Sequence, residues 1–364
     1  MKIRRLYKIR TGIKGFLIIS MIVIVSCTLQ PEERILQPSF DKILHGELLN
    51  IKADCINQLR IYDTVLLCVM NERCSEKAIH LYSLNSLELL VEFGRKGNGP
   101  EEFNLPMLMP SGSYPDGVSD SLFFWIQDIN HKRLKLFRLP DVLKGNYLPF
   151  KTLFIEPALL DGYDLNFISK NKVIGEDHQM GKGLFFTYDL KSEEKIWIDY
   201  FPEPQYTFMP KKKIPLIYAV RIGYNKALQS TVIAYRFFNR LGFYDKSNQL
   251  ISNIIIGDPV TQDFSQKSLY FVPGNVKTYF FGLYVMPKYI YALMHDATQQ
   301  QTIENPDSVK TKVVILDWDG KLISAFRLDR FIISFTIDEK NQCLYGVSNT
   351  KDGFSKVYKY KYSL

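Results

Sequence analysis

The sequence predicts an all-β fold: a six-bladed β-propeller of four-stranded antiparallel blades, its ring closed by an N-terminal strand. Three observations carry this. Aromatic content is high, at 14%, and the Tyr and Phe residues sit within β-branched runs, which favours strands. Beyond the first 26 residues no segment shows a long helical period. One loose unit, a buried apolar run with a polar end followed by two further strands, recurs along the chain.

The first copy reads TVLLCVMNER, KAIHLYSLN and ELLVEFG, and the second SLFFWIQDIN, RLKLFRL and KTLFIE. The third reads NKVIGEDH, GLFFTYDL and EKIWIDYF, and the fourth STVIAYRF, RLGFYDK and QLISNIIIG. The fifth reads KYIYALMHD, TKVVILDWDG and KLISAFRLD; the sixth stops after QCLYGVSN and SKVYKYKY. Anchor residues Tyr82, Phe137, Tyr188 and Tyr244 recur at roughly 50 to 56 residues, within the range of propeller blades. The next step, to Leu316, is longer, because ATQQQTIENPDSVK (Ala297 to Lys310) reads as a polar inserted loop. The sixth copy lacks an outermost strand. A stretch within Arg34 to Leu49 is expected to supply it, since an open ring would leave two bare sheet edges.

The N-terminus reads separately. Lys2, Arg4, Arg5, Lys8, Arg10 and Lys14 precede an apolar run, GFLIISMIVIV, that is shorter than the roughly 20 residues a spanning helix needs. This is the build of a secretory signal. Ile24-Val25-Ser26-Cys27 then resembles a bacterial lipobox, with Cys27 as the lipidated residue. The expected organisation is a lipoprotein signal peptide over 1–26, a tether over 27–33 and the propeller over 34–364. Loss of the signal removes six of 46 basic residues and none of the 38 acidic ones, so net charge drops from +8 to near +2. That leaves no basis for a nucleic-acid partner, which would need clustered positive charge. A monomer held to the membrane by lipid is expected. Cell-envelope placement, as an outer-membrane lipoprotein, follows from the lipobox, and Glu32 and Glu33 hint at surface exposure.

Cys55, Cys68, Cys74 and Cys343 remain. Cys68 and Cys343 read as small buried strand residues, Cys68 and Cys74 lack zinc-finger spacing, and the disulfide state of all four is left open. FGRKGNGPEEF, from Phe93 to Phe103, invites a phosphate-loop reading. However, Gly99 is followed by Pro100-Glu101 rather than Lys-Ser/Thr, no amphipathic helix follows, and two glutamates would repel an anion. It is expected to carry the chain from the rim of one blade back to the axis.

FGRKGNGPEEFNLP followed by DSLFFWIQDINHKRLKLF resembles the NHL-type propeller repeat. The resemblance rests on Phe93, Gly94, Gly99, Pro100, Glu102, Phe103, Pro106, Asp128, Asn130, Arg133, Leu134, Leu136 and Phe137. With the lipobox, the chain is similar to the TolB-like six-bladed propeller lipoproteins of Bacteroidetes. That resemblance implies a fold and a location but no single reaction.

Second strands of the blades should end on one face of the disc, which nominates Arg73, Asp128, Glu176, Asp177, His178, Arg236, His295 and Asp296 as ligand-binding candidates. Asp128 has a competing role in capping a turn with Asn130 and Arg133. Glu176, Asp177, His178, His295 and Asp296 together would suit a divalent metal. Trp318, at a hairpin turn, is a candidate ligand contact. Trp125 and Trp197 read as core. His45 and His80 read as structural, and His131 as exposed. No Gly-x-Ser-x-Gly elbow exists, and no catalytic residue is assigned. The expected role is therefore a binding or scaffold module for a protein, peptide or glycan, without a cofactor. The alternative is a metal-dependent hydrolase or lyase with its site on the axis.

Overall fold

A computed structural model describes residues 31–364 except 54, 72–73, 111–122, 156–158, 160–161, 178–181, 203–213, 265–273 and 350–353. Three short strands come first: β1 (Glu32–Leu36), β2 (Ile43–Leu44) and β3 (Glu47–Leu48). Six sheets follow around an axis. The first blade holds β4 (Ile56–Tyr62), β5 (Val65–Met70), β6 (Ile79–Ser83) and β7 (Leu89–Phe93), in that order from the axis outwards. The second holds β8 (Pro106–Leu108), β9 (Phe123–Asp128), β10 (Arg133–Arg138) and β11 (Lys151–Phe154). The third holds β12 (Gly162–Ser169), β13 (Lys172–Asp177), β14 (Phe185–Asp189) and β15 (Lys195–Ile198).

The fourth blade is β16 (Val220–Asn225), β17 (Ser230–Tyr235), β18 (Arg240–Tyr244) and β19 (Leu250–Ile256), and β1 joins it outside β19. The fifth is β20 (Lys277–Val285), β21 (Tyr289–Thr298), β22 (Lys312–Asp317) and β23 (Leu322–Leu328), with β2 added outside β23. The sixth is β24 (Ser334–Asp338), β25 (Cys343–Asn349), β26 (Ser355–Lys361) and, outermost, β3. The ring is thus closed by the N-terminal segment, as the missing strand in the sixth repeat predicts. Leu48 pairs with Tyr358 and Glu47 with Lys359, antiparallel. The same segment also runs along two further blades. Ile43 and Leu44 pair in parallel with Arg327 and Leu328, and Gly257 donates its N–H to Leu36 O at 2.7 Å.

The core lies between the blades rather than within any one of them. Each neighbouring pair of sheets encloses its own apolar cluster. Phe93, Phe124 and Phe137 pack between blades one and two, and Trp125 stacks on Phe167 between two and three. Leu66, Cys68, Val347 and Val357 fill the closing junction between six and one. Middle strands are sandwiched on both faces, so VLLCVM of β5 and FFWIQD of β9 are buried at every position. This is why they read as unbroken apolar runs rather than alternating ones. Each such Leu or Phe contributes about 1.5–3 kcal/mol through burial.

Local chemistry explains two departures from the sequence reading. Ala297 to Lys310 is not merely a loop: β21 runs on to Thr298, and a short helix, Gln299–Glu304, follows. Thr298 and Gln301 form a reciprocal capping box, a Thr-x-x-Gln signature readable in the sequence. Glu33 belongs to β1 rather than to a free tether, and its carboxylate accepts from Asn253 Nδ2 at 2.9 Å.

FGRKGNGPEEF is a blade junction, and its donors are used internally. Glu102 folds back so that its carboxylate accepts the Gly99 N–H at 2.7 Å, while Gly97 and Phe103 N–H groups bond to Phe103 and Arg95 carbonyls. A phosphate would find the Glu102 carboxylate already in place. Gly94 takes φ +77°, and a Cβ there would lie 2.5 Å from the Phe103 ring, so glycine is required on both counts.

Cys55 and Cys74 form a disulfide with Cα atoms 5.8 Å apart, while Cys68 and Cys343 are buried free thiols.

Candidate functional site

Innermost strands of all six blades converge on one axial cavity of about 210 Å³. They contribute Gln58 and Arg60 from β4, Leu108 from β8, Asp164 from β12, Arg221 from β16, Tyr284 from β20 and Ser334 from β24, among others. Among the described residues three charged side chains line it. Asp164 sits at a bulge in β12 with φ +48°, a left-handed conformation uncommon for a residue other than glycine. Bulges re-aim side chains. Here the carboxylate meets Arg221, whose Nη1 lies 3.3 Å from Asp164 Oδ2.

Arg221 is held from three sides. Its Nε–H donates to Phe281 O at 3.1 Å, and Glu176 Oε1 lies 3.9 Å from Nη1. The carboxylates, Asp164 first and then Glu176, raise its pKa against the pull of burial. Phe281 is the shared wall of the neighbourhood. Its ring stacks on His295 with centroids 5.0 Å apart, and the Arg236 guanidinium lies over its face at 5.6 Å. Burial, then repulsion from Arg221, brings Arg236 down to about 10, with Glu176 opposing. His295 Nε2 lies 2.9 Å from Ile332 O, and burial pushes its pKa down to about 4, so the ring is neutral near pH 7. On the opposite side, Arg60 donates from Nη1 to Met109 O at 2.6 Å and lies over the Tyr284 ring at 5.7 Å.

Of the residues nominated from the sequence, the structure brings Glu176, Arg236 and His295 into one electrostatic neighbourhood behind the cavity wall. Asp296 turns away with φ +51° and pairs with Lys312 at 2.8 Å and Lys277 at 3.1 Å. Burial alone would raise its pKa, but the two lysines more than offset this and it ends lowered. Asp128 lies inside blade two. Its Oδ1 accepts the Asn104 N–H at 2.8 Å, His131 Nδ1 is 2.8 Å from Oδ2, and Lys135 Nζ is 3.5 Å away. His131 is not the exposed residue the sequence suggests: only 11% of its side chain is accessible, and Nε2 meets Asn98 Oδ1 at 2.6 Å. Trp318 is half-buried, and its indole N–H donates to Met286 O at 3.0 Å. Cys27, Arg73 and His178 lie outside the described residues, as does the side chain of Asp177.

Among the described residues no three His, Cys, Asp or Glu side chains converge as metal donors. Those that are described have other occupations. Glu176 Oε2 accepts the Val220 N–H at 2.8 Å, His295 faces Ile332 O, and Asp296 holds two lysines.

Arg60, Asp164, Arg221 and Tyr284 escape the sequence reading because the innermost strands do. The second strands announce themselves by unbroken apolar runs, whereas β16 reads Val220-Arg221-Ile222, an alternation that turns the arginine to the opposite face from its buried neighbours. That alternation was the available signal.

The class of protein so defined is a six-bladed β-propeller with a polar axial cavity. Comparison with known proteins agrees on the six-bladed propeller. The family model described as TolB-like 6-blade propeller-like matches residues 204–340. Among solved structures, the chain is similar to a member of the duf4221 family from Bacteroides vulgatus ATCC 8482, with TM-score 0.56 and 11% identity, covering 91% of this chain and 96% of that one. The β-propeller domain of Myceliophteria thermophila Cps50 (Swd1) aligns with TM-score 0.45 and 9% identity over 87% of this chain and 100% of that one. U3-55K aligns with TM-score 0.49 and 10% identity over 87% and 98%. At 11% identity the likeness to the Bacteroides vulgatus protein concerns the fold alone. No curated protein matches the sequence.

Proposed function

We propose that the chain is an envelope lipoprotein that binds a ligand rather than transforming one, with its axial face as the binding surface and Cys27 as the lipidated residue. The observation that carries the binding reading is the convergence of all six innermost strands on one cavity containing Arg60, Asp164 and Arg221. A rigid ring that holds charged side chains at its axis suits recognition of a protein, peptide or glycan. Metal-dependent catalysis is the weaker reading, because Glu176, His295 and Asp296 are each engaged elsewhere. The Cys55–Cys74 disulfide supports an oxidising compartment, in keeping with export.

Two experiments test this. Metabolic labelling with an acyl-chain analogue should tag the protein and fail to tag Cys27→Ser, which should be recovered soluble or unprocessed. Normal labelling of that variant overturns the anchor. A photo-crosslinking residue in place of Leu283, on the cavity wall, should give a discrete adduct in intact cells. The same residue in place of Ile196, exposed on the outermost strand of blade three, should not. Equal labelling at both positions overturns axial binding.

A further inference from the structure

Charge at the axis is unbalanced. Guanidinium groups of Arg60, Arg221 and Arg236 stand in the cavity or directly behind it, against the carboxylates of Asp164 and Glu176. Among the described residues, three against two leaves one positive charge. Asp164 and Glu176 are both directed at Arg221. Among the described residues Arg60 has no carboxylate partner: its Nη1 donates to Met109 O, and its buried Nε–H has no acceptor. The Arg60 guanidinium carbon lies 5.7 Å from the Tyr284 ring centroid, and the fork of N–H donors a guanidinium carries suits a planar two-oxygen anion.

The remaining wall is mixed. Leu283, Ile333 and Phe335 are apolar, while Gln58 and Ser334 are polar and already accept the Leu108 and Leu59 N–H groups, at 2.7 Å and 3.4 Å. The cavity volume of about 210 Å³ equals roughly seven water molecules at ~30 Å³ each, enough for one residue and too small for a folded domain. A single surplus charge matches a monoanion. A phosphate dianion would set a second negative charge against the Asp164 carboxylate in the same cavity.

We propose that the axial cavity takes the C-terminal residue of a peptide, with its free carboxylate on Arg60 and an apolar side chain against Leu283, Ile333 and Phe335. This rests on the binding reading above and names the ligand chemistry of the same site.

Isothermal titration calorimetry of the full chain with N-acetyl-leucine, N-acetyl-leucinamide, galacturonate and inorganic phosphate tests it. The expected result is saturable binding of N-acetyl-leucine and at least tenfold weaker binding of the amide. Arg60→Met should weaken the acid at least tenfold, and Arg60→Lys should retain part of the affinity. If Arg60→Met does not melt cooperatively, the acid–amide comparison on the unsubstituted chain decides alone. Equal affinity for acid and amide overturns the proposal, as does an acid with no saturable heat, or tighter binding of galacturonate or phosphate. Any of these outcomes leaves the acylation and cross-linking tests to stand on their own results.

Discussion

Arg221 and Asp164 meet across the axis-facing edges of blades three and four, Nη1 to Oδ2 at 3.3 Å, with the carboxylate placed there by a residue at φ +48°. A side chain that interrupts strand pairing and adopts an uncommon backbone conformation to reach a partner is a costly arrangement. Its position in the cavity gives that cost a use. Asp164→Ala should destabilise the protein by about 2 kcal/mol, since it leaves a half-buried guanidinium short of its nearest carboxylate. Arg221→Ala with Asp164→Ala should cost less than the sum of the two single changes. Denaturant titration of the three variants measures the coupling, and strict additivity contradicts the pairing.

His295 makes stability depend on pH. Its folded-state pKa, lowered to about 4 by burial, lies below the ordinary imidazole value of 6.5. Between those values the unfolded chain binds a proton that the folded chain does not, so stability falls as pH drops from 6.5 toward 4. The loss approaches a figure on the order of 3 kcal/mol at the low end. Chemical denaturation of the native chain and His295→Gln across this window should show a slope in the first that shrinks in the second. Parallel profiles contradict the assignment.

Gly94 tests the blade junction. Gly94→Ala forces a Cβ against the Phe103 ring at a positive φ and should cost about 2 kcal/mol or more. Gly145→Ala is the control: its φ of +86° carries the same backbone penalty, but nothing lies within 4 Å of the new carbon. The first variant should melt lower than the second. Equal melting temperatures would show that the Phe103 contact carries no weight.

Much of the ring was legible in the sequence because its central strands are sandwiched between neighbouring blades. Continuous apolar runs such as FFWIQD and VLLCVM mark β9 and β5 directly. The missing strand after SKVYKYKY was legible by counting, because a blade short of one strand must be completed from elsewhere. The cavity was not. Arg60 and Arg221 lie on strands whose inner edge faces the axis, so their composition is mixed and no run stands out. Nor can residue types show that Asp128 turns inward to His131 and Lys135 while Glu176 reaches Val220, since both end apolar strands in similar fashion. The partner in each case is fixed by long-range packing.

Closure of the ring by the N-terminal belt is what holds six inner strands around one cavity, and the melting temperature of a chain lacking residues 33–49 tests it most directly. That deletion removes the partner of Tyr358 and Lys359, together with the strands covering the outer edges of blades four and five. The melting temperature is expected to fall by roughly 10 °C or more, equivalent to several kcal/mol in a chain of this size. An unchanged melting temperature would contradict the closure and, with it, the account of the axial site.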